Sequence, residues 1–217
     1  VPAPNFDLYL ITDRKLTRGR DLCAVVAQAL DGGVTAIQMR EKDLGGKELF
    51  DLADKIAILC QRYNAQLFIN DRIDVALAVG AAGVQLGKTS LPIETARALL
   101  GREKLIGYST HAPGEAQEAE QKGADFVLFG PVFFTPSKAP FGTPQGVARL
   151  AAAAKTTALP VYAIGGIKSD NLASTMEVGS RGVALISAII GAENPAAAAR
   201  TMLSSLARYQ DAGTPPR

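Results

Sequence analysis

Arg40 and Lys42 stand two residues apart in IQMREKD (37–43). On an extended chain that spacing puts a planar guanidinium and a point charge on one side, where they can clasp a single polyanion. With Lys138 they could hold a diphosphate. The bland alternative is a solvated loop in which Glu41 and Asp43 neutralise both cations. Asn70 and Asp71 in FINDRID offer an amide and a carboxylate, suited to Mg²⁺ bridged by phosphate oxygens. Asp71 serves equally as the cap of a helix starting at Arg72, and Ser90 in KTSLPIE, ahead of Pro92, reads first as a helix cap. His111 in GYSTH is the sole histidine. It is balanced between a structural role and acid or base chemistry near neutral pH. Thr135, Ser137 and Lys138 are the polar contacts of GPVFFTPSKAPFGTPQG (130–146), a segment suited to a lid or binding loop. Gly165 and Gly166 in AIGGIKSDN and Ser187 in ALISAI complete the set. They either cradle a phosphate with backbone N–H groups and a helix N-terminus, or make a tight turn and a helix cap.

These residues need a scaffold, and the chain supplies a repeating one. Eight apolar runs have strand length and composition: 6–12, 35–40, 66–70, 83–87, 104–109, 125–130, 160–166 and 182–187. Between them lie amphipathic segments, such as Leu22, Val25, Val26 and Ala29; Leu49, Ala53, Ile56, Ala57 and Cys60; and Ala199, Met202, Leu203 and Leu206. Glycine recurs just before a new strand in DGGVTAIQ, GAAGVQL, KGADFVLFG and VGSRGVALIS, which reads as helix stop, then strand. Eight such units of roughly 27 residues fit a closed TIM (β/α)8 barrel near its lower size limit. A doubly wound sheet is the rival, but no GxGxxG follows the first strand. Residues 1–217 are therefore expected to form one domain with frayed arms at 1–5 and 211–217. In a barrel, function collects where strands end. Thr12, Asp13, Arg40, Lys42, Asn70, Asp71, Arg72, Gly87, Lys88, Ser109, His111, Gly130, Thr135, Lys138, Gly165, Gly166 and Ser187 all fall there.

Composition narrows the partners. A net charge of +2, from 23 basic and 21 acidic residues, gives no broad field for nucleic acid or a membrane surface. No apolar run is long enough to span a bilayer and VPAPN does not resemble a leader, so a cytoplasmic location is expected. Cys23 and Cys60 read as small core residues, and a single histidine excludes the common zinc constellations.

The stretches QMREKD, NDR, GYSTH, GPVFFTPSK, AIGGI and GVALISAI, in this order, resemble the thiamine phosphate synthase family, which includes the related thiazole tautomerases. The resemblance runs from LYLITD to the final helix and implies an eight-stranded barrel using Mg²⁺ and small phosphorylated substrates, with a homo-oligomer compatible. The implied reaction joins 4-amino-5-hydroxymethyl-2-methylpyrimidine diphosphate to 4-methyl-5-(2-phosphoethyl)thiazole, or its carboxylated form, giving thiamine phosphate and pyrophosphate. By position, Gln38, Arg40, Lys42, Asn70, Ser109 and Lys138 would hold the pyrimidine diphosphate and Asp71 the metal. Thr135, Pro136, Ser137, Gly166, Ile186 and Ser187 would hold the thiazole phosphate. One departure stands out: where the family commonly has a second metal-binding aspartate in a stretch like HLGQxD, this chain reads QLGKTS, with Ser90 in its place and Lys88 nearby. That form also resembles the tautomerases, whose histidine moves a proton as a carboxylated precursor becomes aromatic; His111 would take that role. Glu94 and Asp74 are the neighbouring carboxylates that could replace the missing ligand. A third reading is a non-catalytic protein that binds a phosphorylated ligand.

Overall fold

A computed structural model describes residues 3–136 and 142–210. Its strands, in chain order, are β1 (Leu8–Ile11), β2 (Ala36–Met39), β3 (Gln66–Asn70), β4 (Gly83–Leu86), β5 (Leu105–Thr110), β6 (Phe126–Phe129), β7 (Val161–Ile164) and β8 (Gly182–Leu185). Each pairs in parallel with the next, and β8 returns to β1, closing an eight-stranded barrel. All eight apolar runs are strands in the expected places: β3 keeps its expected ends, β5 is shifted one residue later, and the others are trimmed by one or two residues at one or both ends. The C-terminal arm at 211–217 lies outside the described residues.

The helices that return the chain are α1 (Leu22–Asp31), α2 (Gly46–Arg62), α3 (Ile73–Ala78), α4 (Ile93–Leu100), α5 (Pro113–Gln121), α6 (Gly146–Thr156), α7 (Leu172–Met176), the single turn α8 (Ser187–Ile190) and α9 (Pro195–Gln210). Their buried stripes follow the helical period: Leu22, Val25, Val26 and Ala29 on α1, and Leu49, Ala53, Ile56, Ala57 and Cys60 on α2. Asp21 caps α1 by accepting from the Ala24 N–H at 2.9 Å. Cys60 is buried in this layer, and burial pushes its thiol up to about 12. Cys23 is only half-buried, and both thiols are free.

The barrel interior is filled, not hollow. Phe6, Tyr9, Phe68, Phe126 and Tyr162 pack ring against ring with centroids 4.7 to 5.8 Å apart, and the Tyr162 hydroxyl donates to the Phe6 carbonyl at 2.9 Å. Burying five aromatic side chains stabilises the fold by on the order of 10 kcal/mol as an upper bound. Above this plug the inward positions turn polar. Gln38 on β2 is in register with Phe68 on the tilted neighbouring strand, Gln85 on β4 with Asn70 and Gly107, and Ser109 on β5 with Leu128. The change from aromatic to amide and hydroxyl marks the floor of a cup at the carboxyl ends of the strands.

Candidate active site

The rim is organised around a buried carboxylate. Glu41, just past β2, is 5% exposed. It accepts from Thr12 Oγ1 at 2.7 Å and from the Arg14 N–H at 3.2 Å to both oxygens, while Arg14 Nη1 stands 3.4 Å away. Thr12 in turn accepts from the Arg40 N–H at 3.0 Å. Arg14 also clasps Asp43 through both guanidinium nitrogens, and Lys15 adds a contact at 2.9 Å. Arg14, with Lys15 second, holds the Asp43 carboxyl well below the usual carboxylate range.

Both acidic neighbours of the cation pair are thus engaged by the β1 loop. Among the described residues Arg40 makes no ion pair, and Lys42 stands 4.0 Å from Asp71 Oδ2. The extended-chain spacing inferred for Arg40 and Lys42 does not hold, because the backbone turns at Lys42, with the Leu44 N–H reaching the Glu41 carbonyl at 3.4 Å. The turn carries Lys42 toward the β3 loop instead.

Asp71 does not cap a helix. The cap position of α3 is Arg72, with no side-chain cap bond. Asp71 sits at φ 62° with its carboxylate turned to the rim, accepting from Asn70 Nδ2 at 2.7 Å and from the Ser90 hydroxyl. Ser90 is not a cap either: Pro92 precedes α4, and Ser90 Oγ instead accepts from the Gly87 N–H at 2.7 Å. The helix-cap readings fail for both residues because contacts across neighbouring loops outcompete local capping. Asp74 is held by Arg72, with Nε to Oδ1 at 2.8 Å, and the Arg72 bond lowers its pKa. Glu94 lines a cleft of about 300 Å³ beside the rim together with Gly87, Ser90, Tyr108, Ser109 and His111.

A magnesium ion takes oxygen ligands and keeps several from water or substrate phosphate. Asp71 and Ser90 bring one carboxylate and one hydroxyl oxygen together, a donor set that fits such an ion when substrate completes it. Among the described residues no group of three His, Cys, Asp or Glu side chains forms a metal cluster.

His111 lies on the turn into α5. Its Nδ1 is 2.6 Å from the Gly130 carbonyl, which can only accept, so Nδ1 carries a proton and Nε2 is the other nitrogen. Its backbone N–H donates to Glu115 Oε2 at 2.6 Å. Burial, with Glu115 and Glu118 second and third, raises the neighbouring Tyr108.

Across the rim, Gly165 and Gly166 take φ 97° and 66°. A Cβ at Gly166 would meet the Phe134 carbonyl oxygen at 2.5 Å, so the loop after β7 lies against the loop after β6 in a way only glycine allows. Ser187 is the first residue of α8 and not its cap, which is Ile186. Its N–H therefore has no acceptor within that turn. Thr135 is half-buried and Pro136 exposed in the β6 loop, while Ser137 and Lys138 lie outside the described residues.

Sequence reasoning overlooked three contributors: Arg14, Glu41 as an internal latch, and Gln85. A glutamine inside a fully buried strand, GVQL, paralleling Gln38 in AIQM, was the available signal for the last.

The residues 8–189 match the family model for thiamine monophosphate synthase. The chain belongs to that family. A Geobacter sulfurreducens relative is 52% identical over 202 residues, covering 93% of this chain and 95% of its own. Thiamine-phosphate synthase of Syntrophomonas wolfei is 43% identical over 198 residues, with 91% and 95% covered. Among solved structures, thiamine phosphate pyrophosphorylase from Pyrococcus furiosus superposes with a TM-score of 0.86 at 39% identity, covering 94% of this chain and 96% of that one. The family thus shares with this chain both the closed barrel and nearly the whole length. Among the described residues no helix is long and apolar enough to cross a membrane.

Proposed function

We propose that this chain, as one domain over 1–217, is a thiamine phosphate synthase that joins the pyrimidine diphosphate to the thiazole phosphate and releases pyrophosphate. The observation that carries this reading is the cation at the end of β2: Glu41 and Asp43 are taken by Arg14 and Lys15, which leaves Arg40 without an ion pair among the described residues and Lys42 with only a 4.0 Å contact to Asp71. In this reading Arg40, Lys42 and Lys138 hold the diphosphate, with Gln38, Asn70 and Ser109 around the pyrimidine. Thr135, Pro136, Ser137, Gly166, Ile186 and Ser187 receive the thiazole phosphate. Asp71, with the Ser90 hydroxyl, would hold Mg²⁺, which when bound supplies further neutralisation of the leaving pyrophosphate.

The chemistry asks little acid or base work of the protein. The methylene carbon–oxygen bond breaks and its electron pair leaves with pyrophosphate, the electron-rich aminopyrimidine stabilising the carbon left behind. The thiazole nitrogen then supplies the pair that forms the new carbon–nitrogen bond. Preorganised cations around the developing negative charge lower that barrier. Arg40, anchored through its N–H to Thr12 and so to Glu41, is held for this task.

A thiazole tautomerase is the second reading, favoured by a histidine whose ring is fixed through Nδ1 and whose Nε2 has no hydrogen-bond partner among the described residues. It gives no role to a diphosphate clamp. Calorimetry with the pyrimidine diphosphate tests the choice: Arg40→Ala and Lys42→Ala weaken its binding in a synthase, whereas no measurable binding to the wild-type protein refutes the proposal. Binding of the thiazole phosphate with neither reaction detectable would mark a non-catalytic binding protein.

A further inference from the structure

The floor of the cup holds a residue that the roles above leave unused. Gln85 lies on the inward face of β4 and is 2% exposed. Its Nε2 donates to Ser109 Oγ at 3.1 Å and reaches the Leu86 carbonyl at 3.4 Å. Its Oε1 is buried and has no partner among the described residues. The neighbouring strand makes room for it, since a Cβ on Gly107 would come within 2.3 Å of Oε1. A half-satisfied amide in a buried strand costs stability, and local rules are broken in this way chiefly where function requires it.

A hydroxyl has one proton and two lone pairs. Because Gln85 donates into Ser109 Oγ, the Ser109 proton is directed elsewhere, and Ser109 is half-buried at the wall of the cup. Turning the amide over would give that proton to Oε1, and the Leu86 carbonyl, which can only accept, opposes the reversed orientation. We propose that Gln85 is a positioning residue that fixes Ser109 as a hydrogen-bond donor toward the pyrimidine diphosphate. This rests on Ser109 contacting that substrate, as in the function proposed above.

The test is a set of variants assayed for thiamine phosphate formation and for melting temperature: Gln85→Met, Gln85→His, Ser109→Ala, and Gln85→Met combined with Ser109→Ala. Methionine fills the same space without an amide, so Gln85→Met should melt at or above the wild type while its KM for the pyrimidine diphosphate rises about tenfold, the worth of one directed hydrogen bond. Histidine can again present an N–H, and Gln85→His should recover most of that loss. In the Ser109→Ala background Gln85→Met should add nothing, since the two act as one unit. Additive losses, or an unchanged KM in Gln85→Met, would overturn the proposal. A wild-type protein that makes no thiamine phosphate would instead overturn the function on which it rests.

Discussion

Replacing Glu41 with glutamine separates the two readings of the REKD segment, because they predict opposite signs. The Glu41 side chain is 2% exposed and accepts from Thr12 Oγ1, the Arg14 N–H and the Arg14 guanidinium. Glutamine keeps the shape but has one accepting oxygen, so its NH₂ must face donors of Arg14. A hydrogen bond to a charged group is worth about 1.5–3 kcal/mol and a buried unpaired donor costs about 1–3 kcal/mol, giving a loss of roughly 2–4 kcal/mol where the terms overlap. At about 2–4 °C per kcal/mol for a chain of this size, the melting temperature should fall by about 4–16 °C. The Arg40 backbone is hung from the same network through Thr12. Loosening it should raise KM for the pyrimidine diphosphate several-fold, read by steady-state kinetics beside a thermal melt. If Glu41 merely neutralised the neighbouring cations, its removal would leave the melt unchanged and lower KM. That pair of results would refute the latch.

Other expectations follow from single contacts. Gly166→Ala places a Cβ 2.5 Å from the Phe134 carbonyl at φ 66°, so it should lower the melting temperature and raise KM for the thiazole phosphate more than for the pyrimidine. Ser90→Asp puts a second carboxylate beside Asp71, and the Mg²⁺ concentration giving half-maximal activity should fall, with direct metal titration in the presence of pyrophosphate moving the same way. Burial raises the Cys60 thiol above its unfolded value, so its neutral form stabilises the fold fully below pH about 9 and this contribution declines as pH climbs toward about 12. Cys60→Ala should flatten that alkaline fall in melting temperature. His111→Asn should leave synthase turnover within a few-fold of wild type; a near-complete loss with the diphosphate still bound would move the assignment toward the tautomerase.

The barrel was legible because a strand covered on both faces reads as an apolar run, and because glycines such as Gly33 and Gly123, at φ 97° and 93°, punctuate the returns. The rim was legible for the same reason: none of the eight strands holds a charged residue, so the charged groups gather beyond their ends. What the sequence hid are partnerships between loops. Glu41 and Arg14 are 27 residues apart, and Asp71 and Ser90 are 19 apart, yet adjacent strands bring each pair into hydrogen-bond contact. Local reasoning therefore gave Asp71 and Ser90 the caps they could form alone and gave Glu41 to its nearest cation. Lys138 and Ser137 lie outside the described residues, so their roles stay as the resemblance implies.

The central claim is tested most directly by incubating purified protein with the pyrimidine diphosphate and the thiazole phosphate while titrating Mg²⁺, and measuring thiamine phosphate and pyrophosphate together. The account predicts both products in equal amounts, at a rate that rises with Mg²⁺ and falls sharply in Arg40→Ala. Neither product at any Mg²⁺ concentration, with the carboxylated thiazole phosphate aromatised by the same protein, would contradict it.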